Sequence, residues 1–195
     1  MKSKSRVVVA VALAAAMSGA ALAEEYKIDK PHSHALYRVK HFGARWSVGS
    51  IPDISGSVNF GADKPNASRV EVTLKPASIM TWVPGRDNHL AGPDFFNSKE
   101  FPTITFKSTS WEKTGEKRYK VTGDFTLLGV TKKVTADVEH VGNAVHPRNN
   151  RPLIGFYAEF TIDRTDFGMN YGVSDDGSGL GREVKIMFAI EAVKR

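Results

Sequence analysis

From residue 69 onward, apolar and polar residues alternate with period two in one segment after another, the pattern of half-buried antiparallel strands. Val70, Val72 and Leu74 alternate with Glu71, Thr73 and Lys75, and Ile104 and Phe106 with Thr103, Thr105 and Lys107. Tyr119, Val121, Phe125 and Leu127 share a phase with Gly123 among them; Val134, Ala136 and Val138 share another, opposite Lys133, Thr135, Asp137 and Glu139. Ile154, Phe156, Ala158, Phe160 and Ile162 form one dry face near the C-terminus, and Val184, Ile186, Phe188, Ile190 and Ala192 form the next. Shorter strands are predicted over residues 25–29, 35–41 and 54–60. Turn chemistry separates the runs at Lys113-Thr114-Gly115-Glu116, at Leu128-Gly129-Val130-Thr131 and across the Pro- and Asn-rich residues 146–152. About eight strands with short connections predict an all-β fold, an antiparallel meander closed into a barrel, with a two-sheet sandwich as the alternative.

Two stretches break the alternation. Residues 76–102 hold Pro84, Gly85, Gly92 and Pro93 as punctuation, and predict a short helical insert near residues 77–98 that lies over a barrel end, anchored by Leu90, Phe95 and Phe96. Residues 165–182 are rich in glycine and predict a mobile loop at a rim.

The first 23 residues follow a different rule. Lys2, Lys4 and Arg6 precede an apolar run over residues 7–17, then Ser18-Gly19 and the small-residue site Ala21-Leu22-Ala23. That order predicts a cleavable signal peptide over residues 1–23. The run is too short for the ~20 residues that span a bilayer. The predicted mature domain is residues 24–195, long enough for one full core, and exported out of the cytoplasm as a soluble protein.

Composition narrows the function. The leader carries three of the 27 basic residues and none of the 21 acidic ones, so the mature chain is only mildly basic, at 24 − 21 = +3, and nucleic-acid binding is not expected. Cysteine is absent, which removes lipid attachment after the leader, c-type haem, thiol redox chemistry and thiolate metal sites. His32-x-His34 puts two imidazoles on one strand face, but Pro31 begins a turn there and no third ligand follows at a metal spacing, so no metal site is predicted. Neither a nucleophile elbow nor an H-E-x-x-H pair occurs, and the glycines of residues 177–181 have the wrong spacing for a phosphate loop. Asp175-Asp176-Gly177 lacks the rest of a calcium loop.

Two groups remain. The inward phases mix Tyr37, Phe60, Phe106, Phe125, Phe156, Phe160 and Phe188 with Ala35, Gly56, Gly123, Ala136 and Ala158. Pattern alone leaves open whether these interlock to fill the lumen or leave a cavity. His41 continues the inward phase of Ala35, Tyr37 and Val39 and should point into the barrel or its mouth. Arg86, Asp87 and His89 have the residue types for acid–base work; a simpler reading has Asp87 cap a helical turn and Arg86 pair with a carboxylate or an anionic head group.

Taken in order, these residues resemble the YceI-like family of polyisoprenoid-binding, lipocalin-like periplasmic proteins. The features are Tyr26-x-Ile28-Asp29 leading to His32-Ser33, His41, Ser78-Ile79, Arg86-Asp87-x-His89-Leu90, Asp94-Phe95-Phe96 and Pro102-x-Ile104-x-Phe106. They continue through Gly123-Asp124-Phe125-Thr126-Leu127-x-Gly129-Val130-Thr131-Lys132 to Arg164-x-Asp166-Phe167-Gly168. The chain departs from the pattern at Gly49-Ser50-Ile51-Pro52 and at Gly181-Arg182-Glu183. The resemblance implies an extended lipocalin-like barrel that holds an isoprenoid or other long-chain lipid without catalysis and without a cofactor. Tyr37, Phe106, Phe125, Val138, Phe156, Phe160 and Phe188 would line the ligand, with His41, Arg86, Asp87 and His89 near its polar end. Transport, storage or stress response in the periplasm, with transient membrane contact, would follow; a homodimer stays open. The competing enzymatic expectation is a lipid hydrolase or isomerase using His41 or His89 with Asp87.

Overall fold

The computed structural model describes residues 24–174 and 176–195, so the predicted leader and Asp175 lie outside the described residues. The segments with the clearest alternation form the longest strands: β6 (Ile104–Gly115), β7 (Arg118–Leu127), β8 (Val130–Val145), β9 (Pro152–Asp163) and β10 (Leu180–Lys194). Each pairs antiparallel with the next, and Phe106↔Phe125 and Ile186↔Phe160 put inward residues opposite inward residues. The shorter strands are β1 (Glu24–Ile28), β2 (His34–His41), β3 (Arg45–Ile51), β4 (Ile54–Phe60) and β5 (Arg69–Leu74).

β1 and β2 are the two halves of one stave. A single 3-10 turn at Lys30–His32 separates them where Pro31 cannot donate to a ladder. β3 and β4 make a second interrupted stave, broken at Pro52-Asp53. β10 is long enough to pair with both halves of the first, at Ile28↔Ala192 and at Phe188↔Ala35. That double pairing closes the sheet into an antiparallel barrel of eight staves and rules out a two-sheet sandwich.

β3 is the strand that alternation did not reveal. Its apolar residues Trp46 and Val48 face outward and are exposed, so the rule that the dry side faces the core fails there. Apolar residues of the other strands, joined by Ile51 at the end of β3, line the lumen. Phe60, Trp111, Tyr119, His140 and Phe156 plug one end, with ring centroids 5.0 to 5.8 Å from Phe60.

The two irregular stretches both lie at the opposite end. Residues 75–103 carry a 3-10 turn at Pro76–Ser78 and the only α-helix among the described residues, α1 (Pro84–Ala91), which starts on Pro84 as the fixed proline φ favours. Phe95 is buried, and Leu90 and Phe96 pack against the core, as expected of anchors. In the glycine-rich stretch expected as a rim loop, the first part is packed: Phe167 and Met169 are buried, and the buried Arg164 bonds to the Met169 and Tyr171 carbonyls. No described helix is long and apolar enough to cross a membrane.

Candidate functional site

The lumen holds two apolar chambers stacked along the barrel. The upper one, about 100 Å³, lies under the insert and is lined by Ala35, Tyr37, Ile51, Leu74, Leu90, Phe95, Ile104, Phe125, Leu127, Ile162, Met169 and Ile186, among others. The lower one, about 50 Å³, is lined by Val72, Phe106, Trp111, Val121, Val138, Phe156, Ala158, Phe160 and Phe188, among others. The division follows the strands. On β5, β6, β9 and β10, Leu74, Ile104, Ile162 and Ile186 face the upper chamber, and the next inward residues, Val72, Phe106, Phe160 and Phe188, face the lower one. Three of those four are phenylalanines that lie in a row, Phe106 stacked on Phe160 at 6.2 Å and Phe160 on Phe188 at 6.3 Å, with Phe125 edge-on to Phe160 at 5.4 Å. They form a septum. All six lumen positions predicted below Tyr37 therefore line a chamber.

Glycine sets how close the rings come. A Cβ on Gly49 would lie 2.5 Å from the Tyr37 ring, and one on Gly123 would lie 2.6 Å from the Phe106 ring. Tyr37 thus lies flat over β3 with its phenol towards α1. Burial pushes that phenol up to about 12, against Arg86 and with Asp87.

The predicted polar end is arranged differently from the expectation. Asp87 does not cap α1, whose N-cap is Val83 with no side-chain bond. It accepts from the Thr81 backbone N–H at 2.8 Å and from the Thr81 hydroxyl. Arg86 donates to Thr81 Oγ1 at 2.7 Å and to Thr81 O at 2.8 Å, rather than to a carboxylate. Both side chains lock the strand-to-helix connection because Thr81 is buried and needs partners. His89 Nε2 lies 2.8 Å from Asp94 Oδ2, and its ring meets Phe95 and Tyr171 edge-on at 5.1 and 5.0 Å. His41 has the predicted parity, but β2 runs past the chamber; its ring rests on Phe42 at 4.0 Å and lines neither cavity. None of these four polar residues lines a chamber, whereas Tyr37, predicted among the lumen residues, does.

The pattern gave no role to Arg164. It is buried at the upper chamber and donates to four carbonyls: Nε to Gly181 O at 2.8 Å, Nη1 to Met169 O at 2.9 Å, and Nη2 to Tyr171 O and Leu180 O at 3.0 and 3.2 Å. Its own burial pulls its pKa down, and the Asp163 carboxylate opposes that. At the other buried extreme, Trp111 Nε1 in the lower chamber has no hydrogen-bond partner among the described residues.

A closed eight-stave barrel with an apolar lumen, a helical insert over one end and an aromatic plug in the other can be set against known proteins. The model of the YceI-like domain matches residues 26–192. The chain belongs to the YceI-like family. A UPF0312 protein of Pectobacterium carotovorum is 39% identical over 182 residues, covering 92% of each chain, and Protein YceI of Escherichia coli O157:H7 is 36% identical over 180 residues, covering 91% of each. Among solved structures, BcnA of Burkholderia cenocepacia superposes with a TM-score of 0.75 at 26% identity, over 85% of this chain and 99% of that one. A Saccharophagus degradans protein described as a polyisoprenoid binding domain gives 0.64 at 14% identity over 89% and 99%, a likeness of fold alone.

Two YceI-like motifs now have physical roles. In Asp29-x-x-His32-Ser33, the Asp29 N–H donates to Glu191 O at 2.9 Å, while the buried Ser33 hydroxyl donates to the same carbonyl at 3.0 Å and accepts from Glu191 N at 3.1 Å. These bonds re-satisfy β10 where the first stave is interrupted. His32 Nδ1 lies 2.8 Å from Asp29 Oδ2 and 3.7 Å from Glu191 Oε1, which raises its pKa chiefly through the Asp29 hydrogen bond. His34 is exposed on the first residue of β2, so the two imidazoles of His32-x-His34 are not brought together. In the second motif, Arg164 holds the rim and Phe167 packs edge-on against Phe125 at 5.7 Å.

Proposed function

We propose that this YceI-like barrel binds a long isoprenoid or similar lipid chain in its lumen, without catalysis, and works as a soluble carrier or store in the periplasm once residues 1–23 are removed. The observation that carries this reading is the pair of stacked apolar chambers in the lumen, with Tyr37 and Arg164 among the residues that line the upper one.

 An apolar cavity of ~150 Å³ stays dry and takes up benzene, so the chambers as they stand, about 100 and 50 Å³, match a fragment of about one isoprene unit only when taken together. A longer chain requires Phe106, Phe160 and Phe188 to swing aside and join the two. Each Å² of apolar surface removed from water contributes about 25 cal/mol, offset by the ordering of a flexible tail and its lost translational freedom. Affinity should therefore rise with chain length until both chambers are full. Binding is favoured over hydrolysis or isomerisation because Asp87 is committed to Thr81 and His89 to Asp94, and among the described residues no histidine or aspartate lines either chamber.

The test is solvent extraction of the protein purified without detergent, followed by mass spectrometry. A stoichiometric long-chain lipid is expected; an empty barrel that also refuses added isoprenoid alcohols would sink the reading. Val138→Arg, which puts a charge into the lower chamber, should abolish loading in protein that still folds. Unchanged loading in the folded variant would contradict a lumenal ligand. A turnover assay on the extracted lipid, with loss of turnover in His41→Ala, is the result that would favour the enzymatic alternative.

A further inference from the structure

Seven of the twelve exposed large apolar side chains among the described residues fall between residues 36 and 83, on the β2–β3 hairpin and the segment that leads into α1. They cluster because of local geometry. On β2 and β3 the inward positions are taken by Ala35, Tyr37 and Ile51, so Trp46 and Val48 must face out, 47% and 51% exposed. Met80 bridges Ser50 on the free edge of β3, with both backbone bonds made. Thr81 then turns inward to Asp87, which sends its neighbour Trp82 outward, 66% exposed, next to the exposed Val83. Phe42, 60% exposed, caps the hairpin tip.

Charge follows the same geography. Residues 30–52 contain Lys30, Arg38, Lys40 and Arg45 and not one Asp or Glu, and residues 76–86 contain no carboxylate either. Arg38, Lys40 and Arg45 make no ion pair among the described residues. Instead, Arg38 Cζ lies 4.6 Å and Lys40 Nζ 5.0 Å from the Trp46 ring centroid, the amphipathic combination of indole and cation that suits a lipid–water interface. Several outward lysines elsewhere on the barrel are instead paired with carboxylates, as in Lys120–Asp137, Lys133–Asp124 and Lys185–Glu159.

We propose that this rim is a membrane-docking surface, which seats the mouth of the barrel on an anionic phospholipid bilayer through Phe42, Trp46 and Trp82, with Arg38, Lys40 and Arg45 against the head groups. Its use for lipid transfer rests on the lipid-holding reading above; the docking itself does not. Apolar side chains enter the interface, and cations near an anionic surface are attracted over about a Debye length. Docking in this orientation puts the upper chamber beside the bilayer.

The experiment uses the mature protein and vesicles of phosphatidylcholine with about one third phosphatidylglycerol, compared with phosphatidylcholine alone. Sedimentation should show binding to the anionic vesicles that weakens as salt is raised. Brominated lipids should quench Trp46 and Trp82 but not Trp111, which is buried in the barrel. Comparison of Trp46→Phe with Trp82→Phe assigns the quenching. Arg38→Gln, Lys40→Gln and Arg45→Gln combined should lower partitioning by about a hundredfold, roughly fivefold per cation. Absence of binding at low salt, quenching of neither exposed indole, or a self-associated protein whose copies cover the rim would overturn the proposal. Vesicle binding with no extractable or added lipid in the barrel would retain docking and remove the lipid-holding reading; lipid loading without vesicle binding would do the reverse.

Discussion

The β2–β3 and β7–β8 hairpins both turn apolar residues into the lumen, and each includes a glycine beneath an aromatic ring, Gly49 under Tyr37 and Gly123 under Phe106. Their outer faces differ. On β7–β8 the outward residues pair across the strands as Lys120–Asp137 at 2.9 Å, Thr122–Thr135 at 2.9 Å, Asp124–Lys133 at 3.2 Å and Thr126–Thr131 at 2.8 Å. On β2–β3 the corresponding places hold Arg38 beside Val48 and Lys40 beside Trp46. The inner faces are alike because both build the same lumen. The outer ones diverge where the β2–β3 wall borders the mouth.

The glycines give the largest expected effect and separate two kinds of close approach. Gly123→Ala would place its Cβ 2.5 Å from the Lys107 carbonyl as well as against Phe106, and a backbone carbonyl in a ladder cannot yield without disturbing β6. Overpacking of that kind costs about 3 kcal/mol, readable as a lower denaturation midpoint. Gly49→Ala meets only the Tyr37 side chain within its closest contacts, which can swing into the upper chamber, so about 1 kcal/mol is expected. It should also displace ligand. If Gly49→Ala proves the costlier of the two, Tyr37 is fixed more firmly than the cavity beside it allows.

The outer faces should matter little to folding on either hairpin. Val48→Thr, and separately Lys120→Gln with Asp137→Asn, should each shift stability by less than about 0.5 kcal/mol in urea titrations. A loss of several kcal/mol in Val48→Thr would mean that the exposed face of β3 holds the barrel together, and the contrast between the two walls would lose its functional meaning.

The smallest effect concerns the interrupted first stave, which β7 and β8 lack. The pKa of His32 is raised above 6.5 by Asp29 first and Glu191 second. Its stabilising contribution is therefore fully present below the unfolded value and lost as pH rises through the higher folded value. Because the ring is exposed, the slope should be slight. NMR should show a His32 pKa above 6.5, and His32→Gln should flatten the dependence of the melting temperature in that window; a folded pKa at or below 6.5 would contradict the assignment.

Alternation exposed β5 to β10 to sequence reasoning because their polar faces meet water and their apolar faces meet the lumen. It missed β3 for the opposite reason, since Trp46 and Val48 face out and the inward Gly49 has no side chain to signal a phase. The lumen residues Phe106, Phe125, Val138, Phe156, Phe160 and Phe188 were legible from parity alone. The polar end was not. Parity pointed His41 inward but could not tell that β2 outruns the chamber, and residue type could not reveal that Arg86 and Asp87 both turn to Thr81. Arg164 stood in a family motif without a role because its partners are the carbonyls of Met169, Tyr171, Leu180 and Gly181, which carry no side-chain signature.

The central claim is that the two stacked chambers accept one continuous lipid chain. Native mass spectrometry with isoprenoid alcohols of increasing length tests it directly. Affinity is expected to grow with each added unit and then level off once both chambers are filled, with Val138→Arg abolishing binding. Affinity that does not depend on chain length, or no bound chain of any length, would contradict it.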